Sequence, residues 1–289
     1  MTISTTPLPL GPAPADWEPD LLIQPSRPWA LTELRELWQY RELVYFLVVR
    51  EINVRYRQTK LGWGWMVARP LLTMLMYGLV FGGVLKVATD GSPYPLFVMA
   101  GMVPWTYFYN AVTRSTTSLH DNVHVVSKVY FPRVVLPLAG TISGAVDMIA
   151  SLLVFLGMML VYRVMPGPQL LWLPVFFAAS VVVALGAGLW LAGLALRFRD
   201  LTFALAFLLQ LLLFATPVLY PLSQVPERYR FLYQLNPVTG IVVGTRWALL
   251  GVGDMHWAMF AVQMGIAAVI LVTGAYVFQY MVRARLDTL

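Results

Sequence analysis

Few residues in this sequence are of a type and spacing that could do chemistry, and they lie far apart. The histidines are His120, His124 and His256. His120 and His124 stand four residues apart with Asp121 between them, a spacing that can hold a metal on one helix face. No third ligand is evident and no glutamate stands where a hydrolytic base belongs, so a polar face on a short helix is the better reading and no metal is assigned. Cysteine is absent, which excludes disulfides, thiol nucleophiles and cysteine-ligated metals. The lysines are Lys60, Lys86 and Lys128, and none follows a glycine. The G-x-x-x-x-G-K-[ST] phosphate loop is therefore missing, and ATP-driven work would need a second polypeptide.

Two charged features remain. The stretch "REINVRYRQTKLGWGW" (50–65) sets Arg50, Arg55, Arg57 and Lys60 among Tyr56, Trp63 and Trp65, directly before a long apolar segment. Basic residues interleaved with aromatics suit nucleic acid, but this position disfavours that partner and favours anchoring at a membrane surface. The second feature is Asp147, in "GTISGAVDMIASLLVF". It lies about 21 Å past Arg133 at about 1.5 Å per residue, near mid-bilayer if the helix starts there. A carboxylate at that depth faces protein or water. Gly140 and Gly144 offer a small-x-x-x-small patch for close helix approach, with Ser143 and Ser151 as neighbours. A helix-packing carboxylate and a proton or substrate relay are both open, the first preferred.

The elements that must position these residues are helices in a bilayer. The chain of 289 residues is 59% hydrophobic and 12% charged with a net charge of +6, and its mean hydropathy is +0.69. A soluble domain carries about a quarter charged residues, whereas here apolar blocks approach the roughly 20 residues that a spanning helix needs. The expected fold is all-α and integral to the membrane. Residues 1–30 form a Pro-rich cytoplasmic tail without the pattern of a cleaved signal peptide. Residues 31–65 form an amphipathic interfacial helix and linker, with Leu34, Trp38, Tyr45, Val48 and Ile52 as its apolar stripe and a Glu51–Arg55 pair at i,i+4. Residues 66–289 form a six-span domain, with spans at 70–85 or 87, 95–112, 134–161, 171–196, 201–220 and 257–281. Lys and Arg concentrate before span one, between spans two and three, at the tight 197–200 hairpin and at the C-terminus, which places both termini in the cytoplasm. Trp172, Trp247 and Trp257 would then mark the outer interface.

Segment 216–251 is apolar yet punctuated by Pro217, Pro221, Pro226 and Pro237. It reads as short helices re-entering the outer leaflet, tolerable where protein or a wet cavity satisfies the broken backbone, in preference to an ordered outer loop. Tyr77 and Phe81 in span one, Trp105, Tyr107, Phe108 and Tyr109 in span two, and Phe203, Phe207, Phe214 and Tyr220 in span five are aromatic. Such residues pack in cores or face lipid, and a polar-tipped set also suits a sugar chain. The loop 114–133 carries a helix-start signal at Ser118 or Asp121 and an apolar set of Val123, Val125, Val126, Val129 and Tyr130, which fits a docking surface for a soluble partner.

With these residues in place, the sequence resembles a known family. "VREINVRYRQTKLGWGWMVARPLLTMLMYGLVFG" is similar to the opening of ABC exporter permeases that carry polysaccharides and polyol phosphates, the Wzm, KpsM and TarG class, in which R-Y-x-x-x-x-L-G-x-x-W leads into the first span. "GMVPWTYFYNAV", "KVYFPRVVLPL", "FRDL" and "TPVLYPLSQVPERYRFLYQLNPVTGIV" match further stretches in the same order, over about 43–285. The resemblance implies a half-transporter of the cytoplasmic (inner) membrane that pairs with a second copy of itself, a homodimer, above two ABC ATPase subunits that hold ATP and magnesium. No cofactor is implied on this chain. It implies a coupling helix around Leu119, His120, Asp121, Asn122, Val123, His124, Val125, Lys128 and Tyr130, and outer helices at 217–251. The cargo implied is a lipid-linked polysaccharide such as O-antigen, with capsule, teichoic acid or galactan as alternatives and a membrane-embedded glycan-processing enzyme as the non-transport reading. Arg55, Arg57, Lys60 and Arg69 would then meet the carrier's phosphates. Tyr77, Phe81, Trp105, Tyr107, Phe108, Tyr109, Phe214 and Tyr220 would line the glycan channel.

Overall fold

A computed structural model describes residues 38–57, 60, 62–85, 87, 89, 91–126, 131–198 and 200–286, excluding the side chains of 57, 125, 126, 285 and 286. The Pro-rich tail and the first turns expected for the interfacial helix lie outside them, as do Lys86, Lys128, Tyr130 and Arg199. The described residues are helical and contain no strand. The helices are α1 (Arg41–Arg57), α2 (Trp65–Tyr77), α3 (Tyr94–Asp121), α4 (Val123–Val126), α5 (Val135–Val161), α6 (Leu173–Arg197), α7 (Asp200–Phe214), α8 (Glu227–Leu235), α9 (Pro237–Leu250) and α10 (Trp257–Leu286). A π-helical segment, Gly78–Val84, extends α2, and short 3-10 turns precede α2, α6 and α8.

Among the described residues, four helices are long and apolar enough to cross a membrane: Gly62–Val84, Val135–Val161, Pro168–Arg197 and Trp257–Ala284. Helix α3 has 28 residues, about 42 Å at 1.5 Å per residue, yet it is less apolar than these four. Its polar residues are turned into protein: Ser115, Thr116 and Ser118 are each at most 2% exposed. Helix α7 has 15 residues, shorter than the 201–220 expected. It stops at Phe214 because Pro217, with no N–H to give, follows in a run of turns.

The core is a bundle of α3, α5, α6 and α10, and small residues let its helices close. A Cβ on Gly140 would meet the Arg114 backbone at 3.2 Å, and one on Gly144 the Tyr107 ring at 3.1 Å, so the small-residue patch on α5 faces α3. Between α6 and α10 the approach is closer: a Cβ on Gly193 would lie 3.0 Å from the Phe278 Cα, and one on Gly274 2.6 Å from the Gly186 carbonyl. Trp172, Trp247 and Trp257 cluster rather than spread, with the Trp172 and Trp257 rings 4.5 Å apart and Trp247 edge-on to Trp257. By contrast α2 buries no residue, and α7 buries only the stripe Leu205, Leu209 and Leu213.

Candidate functional site

Helix α1 lies along α5 and brings its polar residues onto Asp147. The Asp147 carboxylate accepts from the Arg55 guanidinium at 2.5 Å and from Arg114 at 2.6 Å, both on Oδ2, while the Tyr56 phenol donates to Oδ1. One turn back, Ser143 donates to Glu51 at 2.7 Å and accepts from Arg114 at 3.3 Å. Two guanidiniums, Arg55 and Arg114, thus share Asp147, while Glu51 joins through the Ser143 hydroxyl, and the cluster is formally balanced. Burial first, then the hydrogen bond to Asp147, push the Tyr56 phenol above its usual range. It therefore stays a neutral donor through the physiological pH range. Tyr56 also stacks on Trp63, ring centroids 5.1 Å apart, which ties the end of α1 to the approach to α2.

Two expectations change here. Asp147 is not a lone acid: α1 and the extended α3 bring Arg55, Tyr56 and Arg114 to it, so polar contacts reach several turns along α5. The i,i+4 partners also part company, because Arg55 turns to Asp147 while Glu51 takes the Ser143 hydroxyl. Tertiary charge pairs in a half-buried setting outweigh an exposed helix pair worth a few tenths of a kcal/mol.

Tyr56 and Asp147 form the floor of a cavity of about 270 Å³ between α1, α2, α3 and α5. Arg69, Thr73, Thr106, Tyr109, Asn110 and Ser151 give it polar lining, and Trp65 and three methionines add apolar surface. A second cavity of about 180 Å³ shares Met102, Thr106 and Tyr109 with the first and adds Tyr77, Trp105 and Gln210. The two form one groove along α3, flanked by α2 on one side and α7 on the other.

Of the four phosphate candidates, Arg69 is exposed and lines the groove, Lys60 is exposed outside it, and Arg55 is occupied by Asp147. The Arg57 side chain lies outside the described residues. Of the aromatic candidates, Tyr77, Trp105 and Tyr109 line the groove. Tyr107 and Phe108 sit in the core, and the Tyr107 hydroxyl donates to the Thr141 carbonyl at 3.3 Å. Phe81 packs beside Tyr77, Phe214 is exposed at the end of α7, and the Tyr220 hydroxyl donates to the Phe214 carbonyl at 2.5 Å.

The described part of the expected coupling segment runs from the end of α3 through α4. Leu119, His120 and Asp121 are the last turn of α3, Asn122 breaks it, and the described part of α4 is a single turn. Leu119 and Asn122 are buried, while His120, Asp121, Val123 and His124 are exposed. The break separates His120 from His124, so their spacing does not set them on one helical face. Arg50 of α1 donates to the Asn122 side chain, and the Asn122 amide donates to the Ser118 carbonyl at 2.8 Å. Sequence reasoning missed Arg50, Glu51 and Arg114 as site residues because their partners are remote. It also passed over Arg246, although an arginine inside "GIVVGTRWALL" is itself a signal of buried polar contacts.

The comparisons with known proteins bear on this geometry. Residues 42–250 match the family described as ABC-2 type transporter. The O-antigen export system permease protein RfbA of Myxococcus xanthus is 34% identical over 211 residues, covering 72% of this chain and 80% of that protein. The protein of the same name from Klebsiella pneumoniae is 26% identical over 82% of this chain and 91% of its own length. The polysialic acid transport protein KpsM of Escherichia coli is 25% identical over 74% of this chain and 86% of its own. The matched region runs from the first turn of α1 to the end of α9, taking in the Asp147 cluster, the groove and the α4 turn. This multi-pass membrane chain belongs to the ABC-2 type transporter family.

Proposed function

We propose that the chain is the channel-forming membrane subunit of an ATP-driven exporter of lipid-linked polysaccharide of the O-antigen kind, in the cytoplasmic membrane. The observation that carries this reading is the similarity to O-antigen export permeases along most of both chains. The chain works as a homodimer on two copies of a separate ATPase, which holds ATP and magnesium. Support for pairing comes from α2, which is apolar enough to span yet buries nothing within one chain. Support for a glycan comes from the groove, where hydroxyls, amides and the Tyr77, Trp105 and Tyr109 rings alternate. The chain crosses six times, with α3 and α7 joining the four most apolar helices, α8 and α9 re-entering from outside, and both termini in the cytoplasm.

In this mechanism the carrier's phosphate meets Arg69, whose planar guanidinium suits phosphate oxygens, with Lys60 nearby in sequence. The glycan then follows the groove, and the ATPase acts on the turn formed by His120, Asp121, Val123 and His124. Capsule-type glycan is the alternative cargo, favoured by the match to KpsM. Deleting the gene should remove the surface glycan and accumulate lipid-linked glycan on the cytoplasmic leaflet. Unchanged surface glycan in the deletion strain would overturn the reading, and glycan assembly lost without accumulation would point to an enzyme instead.

A further inference from the structure

The chain leaves α7 at Phe214 and reverses through turns at 215–220, a stretch of non-helical backbone between apolar helices. Such backbone is tolerated inside a membrane only where protein satisfies it. Here four consecutive carbonyls are each taken by a side chain. Arg246 donates to Pro217 at 2.6 Å, to Val218 and to Tyr220 at 3.5 Å. Tyr94 donates to Leu219 at 2.9 Å. The same guanidinium reaches back through Nε to the Phe97 carbonyl at 3.2 Å and lies 3.8 Å from the Phe97 ring centroid. Only a forked, planar cation has donors enough to serve acceptors on two sides at once.

Arg246 belongs to α9, and Tyr94 and Phe97 to the first turns of α3. Gly101, one turn further along α3, makes the passage possible, since a Cβ there would lie 2.5 Å from Nη2 of Arg246. Asn236 adds a further tie: it caps α9 by accepting from the Val238 amide at 3.0 Å and donates to Thr216 Oγ1 at 3.0 Å. Helix α8 differs. It buries no residue, and hydrogen bonds that tie it to elements beyond the turn before it gather at its C-terminal end. There Gln263 donates to the Gln234 carbonyl at 2.6 Å and Tyr220 contacts the Tyr233 hydroxyl at 3.2 Å.

We propose that Arg246 is a positioning residue that joins α9, the 215–220 reversal and the start of α3 into one rigid body, so that α8, pivoting at its C-terminal end, is the part of the outer segment that moves during transport. This rests on reading the chain as an exporter. Elements with few buried side chains open at lower free energy than buried ones, and α8 and α9 stand at opposite ends of that scale.

The test is amide hydrogen exchange on the complex with its ATPase, in the nucleotide-free and ATP-trapped states. In the parent protein, peptides from α8 should change exchange between the states while those from α9 and 216–220 should not. In Arg246→Met, exchange at 216–220 and α9 should rise on the order of tenfold to a hundredfold even without nucleotide, the loss expected for hydrogen bonds to a charged donor. More ATP should also be hydrolysed per glycan exported. Arg246→Lys should fall between the two. If Arg246→Met does not accumulate in the membrane, Gly101→Ala, which displaces the guanidinium and keeps its charge, and Tyr94→Phe carry the same test. The proposal fails if α9 changes with nucleotide as much as α8 in the parent protein, if α8 does not change, or if these variants leave exchange at 216–220 at the parent rate. Because the nucleotide-free comparison needs no transport, its result stands apart from any failure of the exporter reading.

Discussion

Asp147→Asn should be more damaging than removal of either of its cations. The carboxylate accepts from Arg55 at 2.5 Å, from Arg114 at 2.6 Å and from the Tyr56 phenol, and its side chain is 15% exposed. Neutralising it leaves two guanidiniums facing each other, with Glu51 and Ser143 as the remaining polar company. Breaking a fully buried pair costs about 3–5 kcal/mol and an exposed one under about 1 kcal/mol, so this half-buried site should lose about 2–4 kcal/mol. Arg55→Met instead leaves the carboxylate with Arg114 and Tyr56, and should cost about 1–2 kcal/mol. For a chain of this size the Asp147→Asn loss corresponds to a drop on the order of 5–10 °C in melting midpoint. The measurement is a fluorescence melt in one detergent at one scan rate, since unfolding of such proteins is commonly irreversible. Hydrogen exchange should show α1 released first, because Arg55 can swing to the headgroups. A midpoint and α1 exchange unchanged in Asp147→Asn, or a larger loss in Arg55→Met, would refute the reasoning.

Gly193→Leu should prevent stable insertion, because a Cβ already meets the Phe278 backbone at 3.0 Å; accumulation at the parent level would contradict the α6–α10 packing. Asn122→Ala removes the acceptor of Arg50 and the amide that closes the end of α3, so it should loosen α4 and lower glycan-stimulated ATP hydrolysis while the melting midpoint falls by no more than about 1 kcal/mol's worth. Tyr107→Phe removes one long hydrogen bond at 3.3 Å in the core and should leave export at the parent rate, whereas Tyr109→Ala at the groove should slow it.

The spans that face lipid were legible because lipid selects on composition alone. Residues 134–161, 171–196 and 257–281 were expected, and the helices run Val135–Val161, Leu173–Arg197 and Trp257–Leu286. Helix α3 was expected to stop at 112 because Arg114, Ser115, Thr116 and Ser118 look like loop residues. They continue the helix to Asp121 because α5 and α6 accept them: Ser115 donates to the Pro137 carbonyl at 2.9 Å, and Gly188 makes room for its side chain. Hydropathy averages over a window and is blind to which neighbour a side chain meets. The Asp147 cluster was illegible for a related reason, since its partners stand 33 and 92 positions away along the chain. The acid itself stood out in the sequence, because a carboxylate within an apolar stretch is conspicuous. The tie at 215–220 was half legible: the prolines announced the break, but not the arginine that fills it.

The balance of charge around Asp147 also decides which cation can meet a phosphate. Read along the sequence, Arg55, Arg57, Lys60 and Arg69 make one basic cluster at the mouth of the first span. In three dimensions Arg55 holds α1 to α5, so an anion that took its guanidinium would have to displace the Asp147 carboxylate from a contact of 2.5 Å. Arg69, by contrast, is exposed and lines the cavity that Tyr56 and Asp147 also line. The two arginines should therefore fail in different ways. Arg69→Ala should raise the concentration of lipid-linked glycan needed to stimulate ATP hydrolysis by about tenfold, the worth of one charge-assisted contact, with the melting midpoint unchanged. Arg55→Ala should lower the midpoint and reduce activity in proportion to folded protein, with little change in that concentration. If Arg55→Ala alone weakens the response to glycan at an unchanged midpoint, the α1 arginine serves the cargo, and the clamp on Asp147 must open in each transport cycle.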